Sequence, residues 1–395
     1  MLLKNVIPRP AGWMRAFVAV GVLWFVIWQA MVFLGADRRV VVIAAIYGFV
    51  MHVIFGKAYA LIPSYFGTEL YFDRAPMAQF MLTVPGTILL VFGTHWLPQS
   101  GLESPGAILW SLGVLVFVGT LACTVAGPFR EGATGTSDAN AERRHVDRFA
   151  NGFIPIILAY LVLAAVLLVL REHDRTIVGT AELSHLIAVG TGMLLIFAVG
   201  LRLFPRFLVV RPHPLAAPIV LPTGGIGAGL LVVDFLGSGI FHLGAGLVTV
   251  GMVGFALAYV DMYRRSDRRR IGFQVVLLAV LFGMFAVMLA LFAIFVAFDP
   301  PILEAHVRVA TLGFLGLTIV GVSYQFYPPN ISSTSGISNR MAMVAVVLIA
   351  GGLVLEVGGL LGVNSLVLKG GQALALVGGV VYAYVLIGLF IERRL

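Results

Sequence analysis

Ile319-Val320-Gly321-Val322-Ser323-Tyr324-Gln325-Phe326-Tyr327-Pro328 closes a long apolar stretch, and two earlier segments read almost the same way. Ile54-Phe55-Gly56-Lys57-Ala58-Tyr59-Ala60-Leu61-Ile62-Pro63 is one; Ile196-Phe197-Ala198-Val199-Gly200-Leu201-Arg202-Leu203-Phe204-Pro205 is the other. Their prolines lie 142 and 123 positions apart. Recurrence at such a period implies a chain built from similar units.

Beyond these segments, apolar runs of about 20 residues recur along the whole length, each long enough to cross about 30 Å of hydrocarbon. The chain is 60% hydrophobic and 11% charged, against roughly 25% charged residues in a soluble domain. The fold expected is an all-α polytopic membrane protein. A membrane β-barrel would instead show short alternating segments. Spans are expected near 12–34, 38–64, 75–97, 105–127, 150–171, 178–207, 213–236, 239–263, 271–298, 301–328, 339–361 and 366–391. The first is read as a span because it is too long for a signal-peptide core.

Two polar stretches divide these twelve helices into fours. One is the loop 128–148; the other is Arg264-Arg265-Ser266-Asp267-Arg268-Arg269-Arg270. The expected division is therefore 1–128, a loop over 129–149, then 150–266 and 267–395, with the recurring segment ending the second helix of each unit. Nineteen Lys and Arg residues fall on the side of the N-terminus, Lys4, Arg9, Arg393 and Arg394 among them. Five fall on the other side: Arg38, Arg39, Arg171, Arg175 and Lys369. Such asymmetry places both termini in the cytoplasm. The net charge of +8 is accounted for by these loops, and no basic soluble domain is present to bind nucleic acid. The single cysteine, Cys123, excludes intramolecular disulfides and Cys-ligated clusters.

Three of the eight histidines lie in the helices that carry the recurring segment. Counted back from the segment's proline, His306 is at −22, His185 at −20 and His52 at −11. Ionisable side chains inside a membrane are costly and mark functional positions by default. A buried histidine that simply hydrogen-bonds between helices is the structural alternative. At 1.5 Å per residue His185 and His306 share a depth, whereas His52 lies roughly 15 Å deeper. The first two could thus flank one cofactor or metal, and His52 would be a separate metal-ligand candidate. Lys57, Asp234, Arg308 and Glu356 are the other polar groups expected within spans, Arg308 with Glu304 one turn away as its plain partner. No P-loop, dinucleotide fingerprint or His-Glu-x-x-His occurs. The 46 glycines suit close helix packing.

Twelve helices, three four-helix units and histidines in helices that end in Gly-x-x-Tyr/Phe-x-x-x-Pro-like segments resemble subunit I of the haem–copper oxidase superfamily. The likeness is greatest to reduced relatives such as the NnrS proteins of nitric oxide tolerance. The resemblance implies a haem ligand at His306, the first position of that family's His-x-His in helix 10. Arg308 stands where the second, low-spin haem ligand should be, and would be placed to meet haem propionates. No histidine stands near Val40 or Val41, where the other low-spin ligand is expected. His185 matches the helix 6 copper ligand, but the His-His pair that completes the copper site is missing. The implied function is haem-binding chemistry of nitric oxide, oxygen or electrons in the cell membrane, with one haem and an incomplete copper site. The implied partners are the lipid bilayer, a small gas ligand, and a membrane partner subunit or a second copy. A cofactor-free transporter or channel, and a non-catalytic subunit, are the alternatives on the same scaffold.

Overall fold

The computed structural model describes residues 10–173, 178–237, 239–362 and 364–392. Lys4, Arg9, Arg175, Arg393 and Arg394 of the charge count lie outside them. Among the described residues, twelve helices are long and apolar enough to cross a membrane. They are α1 (Pro10–Leu34), α2 (Arg38–Tyr65), α3 (Ala75–His95), α4 (Glu103–Arg130), α5 (Ile154–His173), α6 (Thr180–Leu208), α7 (Ala216–Val233), α8 (Gly239–Arg265), α9 (Ile271–Phe295), α10 (Pro300–Arg308, Val309–Gly316 and Leu317–Phe326 in succession), α11 (Asn339–Leu361) and α12 (Ser365–Glu392). Among the described residues there is no strand. Large apolar side chains such as Leu115, Leu163, Met288 and Val347 remain exposed on the helices. That is the surface a bilayer covers.

The helices form two compact units. One comprises the residues up to Trp24 with Asp37–Ala198; the other comprises Phe25–Ala36 with Val199–Arg394.

The stretch 128–148, expected as a plain loop, carries structure. A 3₁₀ turn (Asp138–Arg143) leads into a short helix (Arg144–Gly152) before α5 begins. Val146, Asp147, Ala150 and Asn151 are its buried residues, a spacing that lines one face of a helix. Asn151 Nδ2 donates to the carbonyls of Tyr65 (2.9 Å) and Ala133 (3.2 Å), and Thr136 Oγ1 donates to Asp147 at 2.5 Å. The bond to Tyr65 ties the segment to the end of α2 and satisfies a carbonyl left over where that helix stops. Gly135 makes the approach feasible: its φ is +57°, and any side chain there would run into the Ser64 carbonyl.

Among the helix pairs that pack through glycine, three show the same reciprocal approach to a backbone nitrogen of the partner helix. In α3 and α4 a Cβ on Gly86 would lie 2.6 Å from Trp110 N, and one on Gly106 would lie 2.7 Å from Leu90 N. In α7 and α8 the pair is Gly227 against Val248 N and Gly244 against Leu231 N, both 2.8 Å. In α11 and α12 it is Gly352 against Ala375 N at 2.6 Å and Gly371 against Glu356 N. Lipid tails are as apolar as leucine, so such pairs are held by van der Waals contact and by the close backbone approach that small residues permit.

The helices bearing the recurring segment share a further irregularity. Each contains a π-helical stretch: Ala44–Val50 in α2, Leu186–Met193 in α6 and Val309–Gly316 in α10. Ala44, Leu186 and Val309 each stand 19 residues before the proline of their own segment, at Pro63, Pro205 and Pro328. Gly48, Gly190 and Gly313 each stand 15 before it, and each meets an aromatic ring of the preceding helix. A Cβ on these glycines would lie 2.7 Å from the nearest ring atom of Trp24, 3.0 Å from that of Tyr160 and 2.9 Å from that of Phe282. A π turn widens the helix by one residue and rotates its N-terminal part relative to its C-terminal part. Such turns are rare and favour functional sites.

Candidate functional site

The residue immediately before the π stretch is Ile43 in α2, His185 in α6 and Arg308 in α10. By this register the counterpart of His185 is Arg308, and His306 lies two positions earlier.

Arg308 is 1% exposed and centres a buried polar cluster in the second unit. Its Nε and Nη2 donate to Glu356 Oε1 (2.6 Å) and Oε2 (2.9 Å), and Nη2 also donates to Gln29 Oε1 at 2.9 Å. The guanidinium carbon stands 5.0 Å from the centre of the Trp28 ring. Glu356 and Gln29 are each 1% exposed. The plain expectation for Arg308, an ion pair with Glu304 one turn away, is thus corrected. The partner is Glu356, 48 positions on, brought in by α11. The reason is geometric. Gly371 of α12 lies against the Glu356 backbone, so α11 and α12 pack closely there, and Glu356 projects towards α10. A bidentate charge-assisted pair neutralises both charges where each alone would be costly.

The Nε–Nη2 edge of Arg308 is occupied by Glu356 and Gln29. The cluster's remaining polar atoms are donors. Arg308 Nη1 and Gln29 Nε2 are buried without a hydrogen-bond partner. Gln29 and Trp28 are members of the cluster that the sequence reading misses; the available signal is an amide inside the apolar run of α1. Asp234, expected within a span, lies just beyond the end of α7 in a turn.

The three histidines have one feature in common. His306 Nδ1 is 3.0 Å from the Ala286 carbonyl of α9, His185 Nδ1 is 2.8 Å from the Ala181 carbonyl, and His52 Nδ1 is 2.8 Å from the Tyr47 carbonyl. A carbonyl only accepts, so Nδ1 donates in each; in the neutral ring Nε2 then holds the lone pair. That is the tautomer used by a ligating imidazole whose other nitrogen is held by a backbone oxygen. His306 is anchored by a neighbouring helix, whereas His185 and His52 are anchored within their own. His185 belongs to the first unit and His306 to the second, and each is described within its own unit. His52 is fully buried, with the Phe17 and Phe55 ring centres at 5.9 and 6.3 Å, and its Nε2 has no partner. Among the described residues no three His, Cys, Asp or Glu side chains converge as a metal site would require.

The first unit holds a second ion pair. Arg39 Nη2 donates to Glu172 at 2.7 Å, with the Glu172 side chain 2% exposed. The pair lines a cavity of about 10 Å³, about one water in size. Arg171 Nη2 donates to Thr180 Oγ1 at 2.6 Å beside it.

No protein-family model matches this chain, and no curated protein matches it in sequence.

Proposed function

We propose that this chain is a multi-pass protein of the cell membrane with both termini cytoplasmic. We read it as three four-helix units related in design to oxidase subunit I, with one haem on His306 and a small gas, nitric oxide or oxygen, as ligand. The observation that carries the reading is the His306 imidazole, held through Nδ1 by α9 so that Nε2 is the nitrogen that would ligate. The threefold recurrence of proline, π stretch and aromatic-capped glycine supports the repeat. Arg308, held by Glu356 and Gln29 where a second haem ligand would stand, favours one haem over two. Haem iron would supply gas binding and electron transfer. The protein would supply the ligand nitrogen, its orientation and an apolar surround. Among the described residues no three side chains complete a copper centre.

The test is the reduced-minus-oxidised absorption spectrum of detergent-purified protein, with haem content from the pyridine haemochrome. About one haem per chain is expected, lost in His306→Ala and retained in His52→Ala. Full haem content in His306→Ala would overturn the assignment.

The buried Arg308–Glu356 pair favours a second reading, a transporter without cofactor, because charges inside spans commonly mark solute or proton paths. That reading expects no haem from a host able to supply it.

A further inference from the structure

We propose that Arg308 Nη1 and Gln29 Nε2 form a binding site for a small monovalent anion, and that the anion enters together with a proton taken up by Glu356. Each of those nitrogens carries two hydrogens, so four donors are buried without an acceptor on two side chains that bond to each other. Both side chains are 99% buried. Buried donors are rarely left without acceptors, so a species rich in lone pairs and poor in hydrogens fits the site. The Arg308–Gln29 bond of 2.9 Å sets the two nitrogens on adjoining groups.

Charge decides the coupling. The Arg308–Glu356 pair is neutral, and an anion added to it would leave one net negative charge buried, which the low dielectric opposes. If Glu356 accepts a proton from solvent, its bonds to Nε and Nη2 lose their ionic character and the guanidinium is left with an uncompensated charge. An anion beside Nη1 then restores neutrality. One proton and one anion enter, no covalent bond but O–H forms, and no net charge is moved into the site. The other charged or titratable side chains on elements packed against α11 are Glu304, His306 and Tyr324 on α10 and Lys369, Tyr382, Tyr384 and Glu392 on α12. α9 and the Phe25–Leu34 part of α1 carry none. Lys369 donates to the Phe33 carbonyl at 2.6 Å and stands over the Phe33 ring. It thus places an exposed positive charge one helical turn along α1 from Gln29, where it would draw an anion in.

The experiment is equilibrium dialysis of bromide against the purified full chain between pH 5 and 8 at constant ionic strength. One bromide per chain is expected, bound more tightly as the pH falls, because one proton is taken up with each anion. Glu356→Gln should bind bromide at every pH as the wild type does at low pH. Arg308→Gln would leave a buried carboxylate unpaired and could fail to fold, so the decisive variant is the neutral pair Arg308→Gln/Glu356→Gln, expected to fold and to lose bromide. Binding that is absent, independent of pH in the wild type, or retained in the double variant overturns the proposal. The four donors would then be served by water alone. His306→Ala should keep bromide binding, which separates this site from any haem.

Discussion

Arg308 and Glu356, 48 positions apart in sequence, meet edge to edge at 2.6 and 2.9 Å with both side chains at most 2% exposed. The pair is a junction of α10 and α11, and through Gln29 it adds α1. An exposed ion pair would contribute little. This one differs because removing either partner strands the other in an apolar surround.

Glu356→Leu or Arg308→Met alone should therefore destabilise the protein by about 3–5 kcal/mol. The double replacement Arg308→Met/Glu356→Leu should be close to neutral, because it removes both desolvation costs while preserving volume. Thermal unfolding of the three variants in one detergent checks this. A double variant as unstable as the worse single one would mean the pair has another structural role.

His52→Leu should change stability by less than about 1 kcal/mol, since the Tyr47 carbonyl keeps its helical partner and the unpartnered Nε2 disappears. A large loss of stability, or a loss of haem, would show that Nε2 does have a ligand in the membrane-embedded protein.

Glycine substitutions should divide according to what a Cβ would meet. Gly371→Ala presses on the Glu356 backbone, and Gly86→Ala on Trp110. Each is expected to cost about 1–3 kcal/mol. A Cβ on Gly119 inside α4 would meet no neighbouring atom within 4 Å, so Gly119→Ala should be neutral or stabilising by roughly 0.5–1 kcal/mol. Melting temperatures that rank the three differently would refute the packing account.

Asn151→Ala should free the Tyr65 and Ala133 carbonyls and loosen the segment before α5. About 1–3 kcal/mol of local stability is at stake, because these are buried acceptors. Limited proteolysis should then cut within 131–143 faster than in the wild type. Unchanged cleavage would mean that Asp147 and Gly135 hold the segment without help.

Twelve helices and most of their limits are legible in the sequence alone, because apolar runs of span length have only one solution in a bilayer, where every backbone group must bond within its own segment. Arg308, Glu356 and the three histidines are legible as positions of interest for a related reason: polar groups stand out in apolar runs. What they are bonded to is a matter of packing. Arg308 joins Glu356 and Gln29 rather than Glu304 because helix packing, set by glycine contacts such as Gly371 on Glu356, brings residues 48 and 279 positions away within 3 Å. The π stretches also emerge only in three dimensions, since their i to i+5 bonding leaves no mark in hydrophobic periodicity. Their glycines at positions 48, 190 and 313 are visible as letters. Their meaning comes from the rings of Trp24, Tyr160 and Phe282 pressed against them, because a contact between two helices is a property of neither one alone.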